Sequence, residues 1–171
     1  MKLKKVIFIL LPAIIIIEGC LKSSSNSCGY TNINIAAPAA EVTTLKDTLF
    51  SLGITNVTQD PAGFFYVINQ QGSGTTISTL CTQISVSYKG TFLNGVLFDS
   101  TATGQVANIQ LGQVIVGWQK SVPLVSKGGN ITVFIPPSLG YGPNPVTDNL
   151  GNIIIPPNSY LKFNIQLVNI Q

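Results

Sequence analysis

The sequence predicts an α+β domain whose main element is an antiparallel β-sheet. Apolar and polar residues alternate in several segments, most clearly at 161–167, and 16 Gly and 10 Pro provide turns between them. Such alternation places one face of a sheet on a core and the other in solvent, which antiparallel sheets permit. Apolar residues at helical spacing in 42–52 add a helix before the sheet.

Composition and charge exclude several functional classes. The chain is 45% hydrophobic and 9% charged, which is too apolar for a disordered protein. It has no His, which excludes a Ser-His-Asp triad, and its three Cys lack zinc-site spacing, so no metal or other cofactor is expected. It has no Arg, and beyond residue 19 six Lys face five acidic residues, a net charge of only +1. Nucleic acid is therefore not an expected partner.

The first nineteen residues are typical of a secretory signal. Three lysines precede an apolar run at 6–17, and these twelve residues are too few to span a bilayer, which needs about twenty. The stretch 17–20 (IEGC) resembles a bacterial lipobox, although Glu18 departs from its usual small or apolar residue. We therefore expect Cys20 to be lipidated and the protein to be anchored in a bacterial cell envelope, on the periplasmic side or in the outer membrane. An uncleaved anchor and a soluble secreted form are the alternatives.

Composition divides the remaining chain into a tether at 20–37, a helical arm at 38–60 and a β domain at 61–171. The tether begins with a Ser-rich stretch. In the arm, four apolar residues recur at helical spacing, and Pro38 and Gly53 are suited to begin and end a helix at 39–52. The four are Val42, Leu45, Leu49 and Leu52. This apolar stripe must pack on its own domain or serve as an arm for dimerisation or client capture.

The β domain follows in order. A β-rich run at 63–68 precedes a Gly-Ser-Gly turn, and alternating segments occupy 84–89, 131–135 and 161–167. Residues 118–126 suit about two helical turns over the sheet.

Five motifs in this domain follow one another in the order of a known family. Together they extend over 64–171 and resemble the FKBP-type peptidyl-prolyl cis-trans isomerases. The motifs are VSYKG at 86–90, LNGVLFDS at 93–100, LGQVIVGW at 111–118, IPPSLGYG at 135–142, and IIPPNS with LKF at 154–163.

The resemblance implies a strongly bent antiparallel sheet wrapped around a short α-helix. It also implies an isomerase that acts on X–Pro bonds of proline-containing polypeptides, needs no cofactor and binds macrolide inhibitors. Trp118 would form the floor of an apolar pocket, the Ile115 N–H and the Tyr141 hydroxyl would donate to the bound peptide, and Asp99 would be a polar partner at the rim. The walls implied by the resemblance are Tyr88, Phe98, Val114, Ile115 and Phe163, with Ile155 closing one side.

Two features depart from the family pattern, and both lie at the expected pocket rim. Ala107 stands where many members place an aromatic wall, and the loop between Tyr141 and Ile155 is longer than in the minimal domain. These differences bear on substrate preference and on affinity for macrolides.

Two other functions are compatible with the same pattern. The fold would equally support a non-catalytic peptide-binding or chaperone module, since a fold does not determine a function. A structural envelope lipoprotein or adhesin would keep the alternating strands without the pocket residues.

Export would allow the two remaining cysteines to form a disulfide. An exported chain enters an oxidising compartment, and Cys28 and Cys81 are the two cysteines left once Cys20 is lipidated. We expect a disulfide between them; two unpaired thiols are the alternative.

Overall fold

The computed structural model describes residues 28–31 and 34–171. The predicted signal segment, the lipidation site Cys20 and most of the tether lie outside these residues. Helix α1 (Ala39–Ser51) comes first, and nine strands follow. They are β1 (Thr58–Gln59), β2 (Phe65–Gln70), β3 (Gln83–Phe92), β4 (Leu97–Ser100), β5 (Ala107–Gln110), β6 (Asn130–Ile135), β7 (Val146–Thr147), β8 (Ile153–Ile155) and β9 (Leu161–Ile170).

Seven of these strands form one antiparallel sheet, as predicted. Six of them lie in the order β1-β2-β6-β9-β3-β4, and the seventh, β5, pairs with β3, so β9, the last of these strands in chain order, lies in the middle of the sheet. Strand β3 pairs with β9 along its whole length, whereas its other edge is shared by β5 at Gln83–Val86 and β4 at Lys89–Thr91. Strands β7 and β8 form a separate two-stranded sheet.

A short helix, α2 (Val116–Ser121), lies on the inner face of the sheet. It begins two residues before the predicted 118–126 segment and ends earlier, because Pro123 lacks an N–H and its ring does not fit a helix interior. The chain continues as a 3-10 turn at Val122–Leu124. A Cβ at Gly117 would lie 2.6 Å from Ile135 Cδ1, so the missing side chain lets α2 approach β6 closely.

The inner face supplies the main core. The period-two pattern of β9 holds, with its alternate apolar side chains buried and Asn164 exposed between them. The buried members are Leu161, Phe163, Ile165 and Leu167.

Helix α1 packs on the outer face of the same sheet. Leu45 and Leu49 are fully buried and form a second apolar cluster with Phe65 and Phe134. The helix ends at Ser51, one residue earlier than predicted, and Leu52 is about half exposed. The division of the chain at residues 60 and 61 stays a prediction. Within the described residues, no helix is both long and apolar enough to cross a membrane.

A disulfide joins Cys28 to Cys81, with Cα atoms 5.6 Å apart. The Tyr30 ring lies over Gly112, where no Cβ would fit. Further along, the Ala37 N–H donates to the Ala62 carbonyl at 2.8 Å. The N-terminal segment is therefore attached to the domain at two places, beside Gly112 and beside Ala62.

Candidate active site

An aromatic cavity of about 230 Å³ lies between α2 and the inner face of the sheet. Ten residues line it, and they contain one charged side chain, a carboxylate, and no Ser, Thr, Cys, Lys or His. A nucleophile–base pair is therefore not among the lining residues. They are Tyr88, Asp99, Ala107, Ile109, Gln113, Val114, Ile115, Trp118, Tyr141 and Phe163.

Trp118 forms a rigid floor. Its side chain is 4% exposed, and two aromatic rings meet it edge to face. The Tyr88 ring centroid lies 5.2 Å away at 83°, and the Phe163 centroid lies 5.2 Å away at 88°. Edge-to-face pairs of this kind add about 0.5–1.5 kcal/mol beyond the buried area, so the floor is held in one orientation.

Two predicted wall residues are not among those that line the cavity. The Phe98 ring packs edge to face on Phe163 at 5.5 Å and so supports that wall. Ile155 is 3% exposed and belongs to the core. Gly90 makes room for this arrangement, because a Cβ there would lie 2.8 Å from ring atoms of both Phe98 and Phe163.

Asp99 is anchored by a tyrosine. The Tyr88 hydroxyl donates to Asp99 Oδ2 at 2.6 Å, which is short for a neutral hydroxyl and typical of a charged acceptor. Burial, and then this hydrogen bond and the Asp99 charge, raise the pKa of Tyr88 well above its usual value. Burial, and then the Asp99 charge, also raise the pKa of Tyr141. Both hydroxyls therefore keep their protons at neutral pH.

Two donors lie at the cavity. Ile115 directly precedes α2, and among the described residues no group accepts a hydrogen bond from its backbone N–H. Tyr141 is 40% exposed, and within the same part of the chain its hydroxyl has no hydrogen-bond partner. The cavity therefore combines apolar walls with two donors that are free to bind a carbonyl oxygen.

Two residues that line the cavity, Ile109 and Gln113, were not predicted from the sequence. Ile109 lies two residues beyond Ala107 in β5, so strand periodicity alone would have placed it on the same face. Gln113 lies inside the LGQVIVGW motif, in a 3-10 turn at Leu111–Gln113. The family resemblance implied roles for its neighbours Val114 and Ile115 but not for Gln113.

The segment after Tyr141 forms a hairpin beside the cavity. The sequence suggested a loop, whereas β7 and β8 pair there, with Val146 opposite Ile155. The Asn158 N–H donates to the Gly142 carbonyl at 2.8 Å and closes the base of the hairpin. We refer to residues 142–158 as the rim hairpin.

Comparison with known proteins agrees with this geometry. The FKBP-type peptidyl-prolyl cis-trans isomerase family matches residues 74–168. FkpA of Buchnera aphidicola subsp. Schizaphis graminum, described as an FKBP-type peptidyl-prolyl cis-trans isomerase, is 40% identical over 116 residues, which are 67% of this chain and 44% of that protein. The outer membrane protein MIP of Legionella longbeachae is 37% identical over 112 residues, 65% of this chain and 46% of that protein. The chain thus spans about half the length of these relatives.

Solved structures show the same architecture. The crystal structure of FkpA from Escherichia coli matches with a TM-score of 0.64 and 30% identity, over 78% of this chain and 60% of that one. The crystal structure of AtFKBP13 matches with a TM-score of 0.60 and 29% identity, over 68% of this chain and 100% of that one.

Proposed function

Because this chain belongs to the FKBP-type peptidyl-prolyl cis-trans isomerase family, we propose that it catalyses cis–trans isomerisation of X–Pro bonds in polypeptides. The observation that carries the proposal is the aromatic cavity, where apolar walls meet two donors, the Ile115 N–H and the Tyr141 hydroxyl, that have no acceptor among the described residues. The expected substrates are proline-containing segments of incompletely folded proteins.

The reaction suits a site of this composition. Rotation about a peptide bond has a barrier of about 18–20 kcal/mol because resonance stiffens the C–N bond. Uncatalysed X–Pro isomerisation takes tens to hundreds of seconds. Resonance weakens when the amide leaves water and its carbonyl turns out of plane. A catalyst therefore needs an apolar site and placed donors, without a nucleophile or a proton relay.

Each side of the cavity has a role in this proposal. The proline ring lies on Trp118, between Tyr88 and Phe163, with Val114 and Ile115 along the helix side. Phe98 packs on the Phe163 wall, and Ile155 belongs to the core next to it. A cavity of about 230 Å³ is below the roughly 300–1,000 Å³ of sites for drug-sized ligands, which suits one residue of a longer chain.

The donors act on the two carbonyls of the bound segment. The Ile115 N–H holds a carbonyl of the peptide and fixes its orientation. The Tyr141 hydroxyl stabilises the twisted carbonyl, and its raised pKa keeps the proton available for donation. Asp99, anchored by Tyr88, provides negative potential that favours a carbonyl carbon turned towards it.

An isomerisation assay without a protease tests the proposal. The full chain should accelerate cis–trans exchange of a peptide with an apolar residue before proline. Tyr141→Phe removes one hydroxyl and keeps the ring, so loss of a neutral hydrogen bond of about 0.5–1.5 kcal/mol should slow the reaction roughly 2- to 13-fold. Asp99→Ala should also slow it. Tyr66→Phe is the matched control, since Tyr66 packs on the core outside the cavity lining.

A folded wild-type chain that leaves the exchange at its uncatalysed rate would refute the enzyme proposal. The non-catalytic peptide-binding module would then be the better assignment, with the same cavity holding proline segments without turning them.

Ala107 bears on inhibitors of the cavity. We propose that macrolides compete with the proline segment for the cavity. The short side chain of Ala107 offers them only a small apolar contact on the β5 side. Ala107→Phe should therefore bind a macrolide more tightly than wild type, as measured by titration of the Trp118 fluorescence. Equal or weaker binding by the variant would contradict this assignment of the β5 wall.

We also propose that the protein is held in a bacterial cell envelope by a lipid on Cys20. The signal-like segment at 1–19 and the lipobox-like residues before Cys20 support the proposal. So does the similarity to a protein named as an outer membrane protein. One acyl chain binds membranes only marginally, so several chains are required for stable retention. Cys20→Ser should release the protein or leave an uncleaved precursor, whereas unchanged mass and retention would contradict the anchor.

A further inference from the structure

We propose that Glu41 is a positioning residue for the reaction: from helix α1, its carboxylate holds the turn before Tyr141 and so keeps the Tyr141 hydroxyl at the cavity. The inference rests on the proposed function and deepens it, because it assigns part of the site geometry to a helix outside residues 74–168, which match the family. Glu41 is not among the residues that line the cavity, and it acts through Tyr141.

The contact joins two elements that are far apart in the sequence. Glu41 Oε2 accepts from the Ser138 backbone N–H at 2.9 Å, across 97 positions of the chain. A charged acceptor makes such a bond stronger than a neutral one. The Ser138 hydroxyl is buried and has no partner in the described part of the chain, so its backbone N–H is the group through which α1 holds this residue.

The 3-10 turn at Pro137–Leu139 determines where Tyr141 lies. The turn ends two residues before Tyr141, and its buried side chains fix it on the core. The Pro137 carbonyl accepts from the N–H groups of Gly140 and Gly142, each at 2.9 Å. These two glycines flank Tyr141, so a shift of the turn would move the Tyr141 backbone with it.

Helix α1 is a firm support for this contact. Leu45 and Leu49 bury the helix on the outer face of the sheet, and Glu41 lies one helical turn before Leu45. The Tyr160 hydroxyl also donates to the Glu41 carbonyl at 3.4 Å. The first turn of α1 therefore contacts the chain both before and after Tyr141. Since apolar packing holds the helix in place, loss of the carboxylate should release the turn and leave α1 docked.

The expected effect is on the transition state. In the proposed function the Tyr141 hydroxyl donates to the twisted carbonyl, whereas Trp118 and Phe163 hold the proline ring. A displaced hydroxyl would therefore weaken binding of the transition state more than binding of the peptide. Loss of the Glu41 bond should lower kcat and leave KM nearly unchanged.

Kinetics of the full chain on a short proline peptide test the inference. Glu41→Ala should lower kcat at least about twofold, and the loss caused by Tyr141→Phe, roughly 2- to 13-fold, is the upper limit. Glu41→Gln keeps an acceptor oxygen at the same reach and should restore most of kcat. Asp47→Ala is the matched control, because it removes an exposed carboxylate from the same helix, and it should match wild type. A wild-type kcat in Glu41→Ala overturns the inference.

A double variant separates positioning from general destabilisation. If Glu41 acts through the Tyr141 hydroxyl, Glu41→Ala should cause no further loss of kcat once Tyr141→Phe has removed that hydroxyl. The same loss in both backgrounds would mean a purely structural role and would overturn the inference. Circular dichroism checks that each variant is folded. If Glu41→Ala is not, Glu41→Asp, which withdraws the carboxylate by one methylene, takes its place in the same comparison.

The position of Tyr141 can also be followed without catalysis. In NMR spectra of the full chain, the Tyr141 ring signals, identified by their absence in Tyr141→Phe, should shift in Glu41→Ala and stay in place in Asp47→Ala. Unchanged Tyr141 signals in Glu41→Ala overturn the inference. If wild type leaves the exchange at its uncatalysed rate, the proposed function fails, while these signals still decide whether Glu41 positions Tyr141.

Discussion

The disulfide between Cys28 and Cys81 should stabilise the fold by much less than its loop length suggests. Its loop spans 53 positions, and chain entropy for closing such a loop in the unfolded state gives about 4 kcal/mol. That figure assumes that the folded protein is equally ordered with and without the bond. The structure indicates otherwise, because among the described residues the next backbone attachment after Cys28 is the hydrogen bond at Ala37.

Reduction would therefore free a segment in the folded protein as well. This segment covers 9 positions, since 37 − 28 = 9. Closure entropy scales as 1.5 RT ln n, and the constant part cancels between the two states. The net stabilisation is 1.5 RT ln(53/9), which is about 1.6 kcal/mol.

Denaturant unfolding of the full chain measures this value. The oxidised and reduced proteins should differ by about 1–2 kcal/mol in the free energy of unfolding. The double variant Cys28→Ser/Cys81→Ser should match the reduced protein. Tyr30→Ala should change stability in the oxidised protein only, because the bond is what holds the Tyr30 ring over Gly112.

Two results would refute the reasoning. A loss near 4 kcal/mol would mean that the segment from Cys28 to Ala37 stays ordered without the bond. Two free thiols by mass spectrometry of the native, non-reduced protein would mean that the bond does not form.

Three further predictions follow from the site and its supports. Gly90→Ala should destabilise the fold by about 1–3 kcal/mol in thermal unfolding and lower activity, because its methyl would press on two aromatic rings. The isomerisation rate should be flat from about pH 6 to 9, because the raised pKa values of Tyr88 and Tyr141 keep both hydroxyls protonated. The raised pKa of Tyr88 in the folded protein stabilises the fold below the unfolded value near 10. This contribution to the free energy of unfolding falls as the pH rises towards the folded pKa, and ultraviolet titration of the tyrosines detects the raised pKa. Glu41→Ala should cost about 1–3 kcal/mol in chemical unfolding, because Glu41 Oε2 accepts from the Ser138 N–H at 2.9 Å, and Glu41→Gln should restore most of it.

Strand and helix periodicity predicted the regular elements well. Alternation in β9 identified its buried residues, because a ten-residue strand repeats the period several times. The stripe in α1 correctly indicated Leu45 and Leu49 as buried. A stripe does not identify its partner, however, so packing on Phe65 and Phe134 emerged only from the three-dimensional structure.

The rim hairpin shows where sequence patterns fail. Its strands have two and three residues, too few for a period to be visible. Its Pro, Asn and Gly content is typical of a loop, and the order comes from the hydrogen bonds to Asp148. Motif matching likewise grouped Phe98 with Phe163, although only packing distinguishes a ring that lines a cavity from one that supports it.

The central position of β9 has a consequence for how the protein is made. This strand comes last in chain order, yet it joins β6 to β3 and so connects the two halves of the sheet. A chain emerging N-terminus first from a ribosome or a translocation channel can form neither the complete sheet nor the Phe163 wall until residues 161–170 have emerged. Until then its apolar strands remain exposed to other chains and to proteases. The native sheet can therefore be completed only once residues 161–170 are available to pair with β6 and β3.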